Sequence, residues 1–434
     1  MAQLIRIGIA GLGTVGAAVL RILAEHSNQL ELRAGQKLVV TGVSARNRTK
    51  DRGVDISALQ WFDDPVALAR SPDIDLFVEL IGGENGPALA AVTAALQSGK
   101  SVVTANKALL AGHGMMLAAL AEANNVCIGF EAAVAGGIPA IKVLREALAG
   151  NNITRVSGIL NGTCNYILSR MENEGLSFAD CLREAQKLGY AESDPTFDIG
   201  GFDTAHKLAL LTTLAFGVGI DRDAIHIEGI ESITLSDIRA AEELGFRIKL
   251  LGVAERTSRG IEQRVHPTMV AKSSTLAQVM GVLNAVSIDA DNVGRITLSG
   301  PGAGGAATAS SVVSDLTDLA AGTTQKPLGL PVASLATAVH MEMQRHEGGY
   351  YIRLNVQDRP GAVAAIATRM AERQISMESI VQRHSGPRLA ASGPVPVVLI
   401  TYATSENLVR EALEQVERDG FLDEKPQIFR IERE

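Results

Sequence analysis

Seven apolar-rich residues, Leu4–Ala10 (LIRIGIA), run straight into Gly11-Leu-Gly13-Thr-Val-Gly16 and then into a helical pattern over Thr14–Glu25. A strand, a glycine turn and a helix in that order admit few folds. Gly11 permits a tight turn, Gly13 lets the backbone approach a pyrophosphate, and Gly16 allows helix and strand to pack closely. The helix N-terminus would offer N–H groups and a positive dipole to phosphates. Such a turn can be purely structural, but this setting favours a dinucleotide site. The rhythm then continues. Strands at Leu38–Ser44, Asp75–Ile81, Ser101–Thr104 and Val126–Phe130 alternate with helices at Pro87–Ser98, Ala108–Ala123 and Ile138–Leu148. Alternation of this kind predicts βαβ crossovers, hence an α/β chain whose residues 1–135 form a Rossmann-type parallel sheet.

Past Asn151 the pattern changes. Acid-rich loops, helices and longer alternating strands, such as Arg247–Ala254 and Gly260–Thr268, suggest an α+β catalytic and dimerisation unit over 136–304. The Gly-rich Ser299–Ser310 leads into a helical pattern at Ser311–Leu319, and residues 305–330 are expected to pack back onto the first domain. Gly322–Pro331 has linker composition, and a linker is placed over 331–348. From 349 to 434 a small third unit follows. Strands at Tyr350–Val356, Ser376–Gln382, Val395–Thr404 and Gln427–Ile431, helices at Val363–Arg373 and Glu406–Asp419, and the turn DRPGAV at Asp358–Val363 read in the order βαββαβ.

At 434 residues the chain is too long for one core. Its net charge of −8 argues against nucleic-acid or anionic-membrane partners. Cys127, Cys164 and Cys181 have no metal-binding spacing and suit a reducing, cytoplasmic setting. No run approaches the roughly 20 apolar residues of a membrane helix.

Chemistry concentrates in Ala185–Lys207 (AQKLGYAESDPTFDIGGFDTAHK), which gathers Glu192, Asp194, Asp198, Asp203 and Lys207 around a Gly-Gly break. Asp203 and Lys207 are four apart and share a helix face. A surface salt bridge would do little, but the helix beyond Lys207 (LALLTTLAFGVGI) has almost no polar face. A lysine entering a buried helix must be paired, line a wet cleft or shift its pKa, so the acids beside it point to a polar substrate site. Lys107 closes Thr104-Ala-Asn106-Lys107, just past the carboxyl end of a strand, where ligands gather in open parallel sheets. At the end of the second strand, Ser44-Ala-Arg46-Asn-Arg48-Thr-Lys50 holds no acid before Asp51. Arg46, Arg48 or Lys50 would attract a 2′-phosphate, which favours NADP and leaves NAD possible.

Together these motifs resemble homoserine dehydrogenase. Ala185, Gly189, Tyr190, Ala191, Asp194, Pro195, Asp198, Ile199, Gly201, Asp203 and Lys207 fit that family's long signature. TANK at 104–107, FEAAVAGGIP at 130–139, GILNGTCNYIL at 158–168 and PGAGG at 301–305 look like its other blocks. The resemblance covers roughly residues 1–330, and the C-terminal unit is similar to an ACT domain, with DRPGAV as its ligand-facing turn. It implies reversible reduction of L-aspartate 4-semialdehyde to L-homoserine, the hydride coming from the nicotinamide. Lys207 would be the acid–base residue, Lys107 would lie near nicotinamide and substrate, and Asp203 would position the substrate and keep the lysine charged. Glu192 would bind the substrate amino group, with Asp198 in the same network. Gly11, Gly13, Thr14, Val15, Gly16, Arg46, Lys107, Gly189 and Gly304 would contact the cofactor.

The resemblance further implies a sodium ion held at Glu131, Val134, Gly136 and Ile138, an amino-acid effector at ACT (L-threonine foremost), and a homodimer or homotetramer. Asn161–Asn165 would line the site, while Cys164 packs as a small residue and His206, on another helix face, is structural. Two rivals are a nucleotide-sensing regulator without catalysis and a reductase of another amino-acid semialdehyde. The first would have lost Lys107, Glu192, Asp203 or Lys207, and all four are present. An acyl-forming semialdehyde dehydrogenase would need a cysteine in an activating setting, which none of the three suggests.

Overall fold

Strands β1 (Leu4–Ala10), β2 (Lys37–Ser44), β3 (Gln60–Phe62), β4 (Leu76–Glu79), β5 (Ser101–Thr104) and β6 (Ile128–Gly129) form one sheet in the order 3-2-1-4-5-6. All its pairings are parallel. Helices on both faces bury Ile7, Ile9, Phe77, Val78, Val102 and Val103 completely, which is why these strands read as unbroken apolar runs. The strand order reverses between β1 and β4, and that crevice is where open α/β sheets take ligands. The computed structural model describes residues 4–357, 359–382 and 394–432. Asp358 of the expected C-terminal turn lies outside them.

The second sheet begins with β7 (Ile153–Ile159), the short β8 (His226–Ile227), and the long hairpin β9 (Phe246–Thr257) and β10 (Gly260–Ala271). It continues with β11 (Leu283–Ala290) and β12 (Gly294–Pro301), paired antiparallel to each other. The C-terminal unit adds β13 (Glu347–Val356), β14 (Met377–Gln382), β15 (Val395–Thr401), the two-residue β16 (Thr404–Ser405) and β17 (Gln427–Glu432). With helices Ala362–Glu372 and Glu406–Arg418 it has the βαββαβ order. This unit is not merely tethered. β17 lies parallel to β10, with Thr268 opposite Arg430 and Val270 opposite Glu432, so one sheet runs 12-11-7-9-10-17-13-15-14.

Several details differ from the sequence reading. The helix expected over Ile138–Leu148 starts only at Ala140, with Pro139 at its N-cap, and is a short α-turn, Ala140–Lys142, followed by a π-turn, Val143–Ala147. The strand expected over Val126–Phe130 shrinks to Ile128–Gly129. The helix expected at Ser311–Leu319 starts earlier and spans Gly305–Ala320, packing on helix Thr14–Glu25 of the nucleotide unit. Residues 331–348 are strapped down by backbone bonds between Gly217, Gly219 and Ala336 and between Ile261, Val339 and Met341. Among the described residues no helix is long and apolar enough to cross a membrane.

Candidate active site

Helix Phe202–Phe216 is buried almost all round, as its sequence requires, and begins at Gly201 in the left-handed conformation. Its first turn carries Asp203 (3% exposed), and one turn later stands Lys207 (8% exposed). Lys207 Nζ donates to Asp203 Oδ2 at 2.8 Å and to the Leu160 carbonyl at 2.6 Å. From the other domain, Lys107 Nζ lies 3.0 Å from Asp203 Oδ1. One carboxylate thus holds two ammoniums. Asn161 Nδ2 completes the cluster, donating to Asp203 at 2.9 Å and to Asp198 at 2.8 Å. The Asn161 Oδ1 caps helix Gly162–Glu174 through the Cys164 N–H.

Charge balance follows from this packing. Burial alone would raise the Asp203 pKa, but the ammoniums of Lys207 and Lys107 outweigh it and hold the carboxyl well below its ordinary range. Burial lowers the Lys207 pKa, Asp203 offsets part of the fall, and Lys107 adds to it. An ammonium has three N–H donors. Lys207 commits two, so one proton remains for a reacting oxygen.

Lys107 is placed by a network that the sequence did not disclose. Buried Glu79, at the end of β4, accepts the N–H groups of Ile81 and Gly82 and the Thr104 hydroxyl. Thr104 in turn accepts the Asn106 N–H, and Asn106 caps the helix that opens at Lys107. The Asn106 side-chain amide also donates to the Gly83 carbonyl. Nearby, Arg222 pairs bidentately with Glu84 at 2.7 and 3.0 Å, tying the two domains together beside the site. No spacing rule could have revealed the link from Glu79 to Thr104 or from Lys207 to the Leu160 carbonyl, since these partners are distant in sequence.

The glycine turn fits a dinucleotide. Gly11 has φ +106°, and a Cβ there would lie 2.3 Å from the Leu80 backbone; one at Gly16 would lie 2.1 Å from the Gly11 carbonyl. Gly13, by contrast, faces open space. Helices starting at Thr14 and Gly305 meet here, Gly305 packing on Thr14, and neither N-cap residue (Gly13, Gly304) supplies a side-chain bond. Two uncapped helix N-termini suit a pyrophosphate. Val15 is half-buried on the same helix, and Gly189 is exposed in a turn with φ +74°. Arg46 is exposed and has no partner among the described residues, whereas the Arg48 guanidinium stacks over Trp61. Arg52, which sequence reasoning passed over, donates to the Leu12 carbonyl and also covers Trp61.

Glu192 is exposed; burial works to lower the Lys107 pKa, but Asp203 foremost, then Asp198 and Glu192, hold it above its ordinary value. Cys164 is fully buried with its Sγ 3.2 Å from the Asp198 carbonyl, and burial pushes its thiol pKa well up. His206 packs edge-on to Phe197 with its ring centroid 5.3 Å away, and burial lowers its pKa. Glu131, Val134, Gly136 and Ile138 are all buried in one turn of chain. The Glu131 carboxylate accepts the N–H groups of Ile141 and Lys142, while the Gly136 and Ile138 carbonyls accept from Ser311 and Ala140. Each oxygen retains a second lone pair; burial raises the Glu131 pKa to about 7, and with that carboxyl ionised the all-oxygen set suits a hard cation.

Comparison with known proteins gives the following matches. Residues 11–131 match the model for the homoserine dehydrogenase NAD-binding domain, 139–317 that for homoserine dehydrogenase, and 350–420 that for the ACT domain. The homoserine dehydrogenase of Neisseria gonorrhoeae is 42% identical over 99% of this chain and 98% of its own length. That of Pseudomonas aeruginosa is 43% identical over 95% of each. A solved homoserine dehydrogenase from Thiobacillus denitrificans superposes with a TM-score of 0.93 at 41% identity, covering 99% of both chains. A hyperthermophilic archaeal homoserine dehydrogenase in complex with NADPH covers 73% of this chain and 97% of its own, with a TM-score of 0.62 at 30% identity.

Proposed function

The chain belongs to the homoserine dehydrogenase family, and from that premise we propose how its residues reduce L-aspartate 4-semialdehyde to L-homoserine, reversibly and with NADPH. It is an oxidoreductase acting on a CH–OH group. The observation that carries the mechanism is Asp203 held between Lys107 and Lys207. When bound, the cofactor supplies the hydride for the aldehyde carbon. Lys207 stabilises the developing alkoxide and gives its uncommitted proton to that oxygen. In the reverse direction its neutral amine takes the hydroxyl proton. Lys107, a third exposed, orients the substrate from the nucleotide side. Glu192 on the rim pairs with the substrate ammonium, and Asn161 holds Asp198 and Asp203 in register.

Arg46 without a partner favours a 2′-phosphate and hence NADP over NAD, and Asp51 is engaged with the Gly53 N–H rather than aimed at a ribose. Sodium at Glu131, Val134, Gly136 and Ile138 would fasten the turn between the two domains rather than join the chemistry. The ACT unit takes an amino-acid effector, L-threonine foremost, in a homodimeric or homotetrameric, cytoplasmic enzyme. The test is initial-rate oxidation of L-homoserine by the purified chain with NADP or NAD, in sodium or in tetramethylammonium buffer, with and without L-threonine. Faster turnover with NADP and with sodium, and inhibition by threonine, is expected. No oxidation with either cofactor would overturn the mechanism.

A further inference from the structure

Asn284 on β11 is 1% exposed, and its Oδ1, sealed from solvent, has no hydrogen-bond partner among the described residues. Buried amides are nearly always paired, because an unpaired one costs stability. Packing accounts for the volume of this side chain but not for its polarity, since a leucine would fill the same space. Asn284 stands between two turns that serve the site. It pairs with Gly300 on β12, which runs directly into Pro301–Gly305. Its neighbour Ala285 pairs with Ile159 on β7, and the next residue there, Leu160, gives its carbonyl to Lys207. Contact with both turns is close. A Cβ on Gly302 would lie 2.0 Å from Asn284 Cγ, and one on Gly162 would lie 3.5 Å from its Oδ1. Gly302 is itself buried, and its N–H has no acceptor among the described residues. An unpaired donor and an unpaired acceptor thus lie side by side.

We propose that Asn284 is a positioning residue that joins the cofactor turn, Pro301–Gly305, to the substrate turn, Asn161–Asn165, when a dinucleotide is seated. Because Oδ1 is sealed, the group that completes it must come from the chain itself rather than from a ligand. The cofactor turn ends at helix Gly305–Ala320, whose uncapped N-terminus meets that of helix Thr14–Glu25. With an anion held at these two N-termini, a small shift of Gly302 lets its N–H donate to Asn284 Oδ1. The amide also packs against Gly162, so the bond sets the cofactor turn at a fixed distance from Leu160 and hence from Lys207. The empty state carries the unsatisfied pair and the loaded state satisfies it. That difference between the two states adds to cofactor affinity, and it explains why an amide stands where an apolar residue would make the empty fold more stable.

The proposal rests on the dinucleotide part of the functional reading, and on homoserine oxidation only for its kinetic readout. Asn284→Leu keeps the shape of the side chain and removes its polar atoms. Thermal unfolding of the full chain without cofactor should give this variant a higher midpoint than the parent, since an unsatisfied buried group is gone. Titration with NADPH, followed by the fluorescence of the dinucleotide, should show affinity about tenfold weaker, the loss of one hydrogen bond. Homoserine oxidation should lose kcat with KM for homoserine little changed. Asn284→Ala removes the same acceptor without the leucine's bulk and should weaken NADPH binding to the same degree. A purely structural amide would behave in the opposite way, lowering the cofactor-free midpoint on its loss and leaving NADPH affinity alone. A lower midpoint in Asn284→Leu, or parental NADPH affinity in either variant, would overturn the proposal. No binding of NADPH by the parent would overturn it together with the dinucleotide reading. A chain whose variants behave as expected but which never oxidises homoserine would overturn the functional reading alone.

Discussion

Asp203 pairs with two ammoniums through one carboxylate, and its hold on Lys207 leaves a mark on pH dependence. On the proposed mechanism homoserine oxidation needs Lys207 as a free amine, so kcat/KM should rise with pH through the Lys207 pKa. Burial and Lys107 lower that pKa from the ordinary 10.5, so the midpoint should fall below the usual lysine range. Asp203 is the main influence working against this fall. Replacing it by asparagine removes the anion but leaves burial and the second ammonium, so the midpoint in Asp203→Asn should move to still lower pH. A pH–rate profile whose midpoint stays put or climbs would contradict the arrangement. The Asp203–Lys207 pairing was legible because four residues is one helical turn. The Lys107 contact was not, since the two residues lie on different domains and only the fold brings them together.

At the level of elements, the start of the helix at Lys107 depends on buried polar groups that stand on three separate segments. Thr104→Val would strip the Glu79 carboxylate of one donor and the Asn106 N–H of its acceptor, costing about 1–3 kcal/mol. Asn106→Ala removes the cap and should cost roughly 1 kcal/mol. Denaturant unfolding measures both losses, and stability equal to the parent's in either variant would show that the network is ornamental. Both should also lower kcat, since Lys107 loses its anchorage. The nucleotide domain was readable because its strands are wholly apolar and its first helix opens on a glycine turn. Short pieces escaped: helix Ser27–Ala34, strand Gln60–Phe62 and helix Pro65–Arg70 carry too few residues for periodicity to register. Glu79 escaped for another reason. Within DLFVELI it looks like an outward-facing acid, and its tie to Thr104 appears only when β5 lies alongside β4.

Across the whole molecule, the pairing of β17 with β10 turns two expected units into one continuous sheet. The order of strand and helix patterns pointed to a βαββαβ module but could not show where its last strand would dock, because parallel pairing leaves no local signature. The docked surface is heavily charged: Arg264 is 1% exposed and bonds Glu262, His266 and Glu432. Deleting 347–434 would leave Arg264 without Glu432, Arg155 without the same acid, and β10 with a bare edge. The truncated chain should melt at lower temperature than the parent and self-associate, as thermal unfolding and size-exclusion chromatography would register. A truncated chain that stays monodisperse with the parental midpoint would show that the C-terminal unit is an independent appendage.

The claim at the centre is that Lys207 delivers and removes the proton while hydride moves. The most direct test compares steady-state homoserine oxidation by the parent chain and by Lys207→Ala at matched pH. Turnover should fall on the order of 100-fold or more, with a much smaller change in KM. Near-parental turnover in Lys207→Ala would contradict the account.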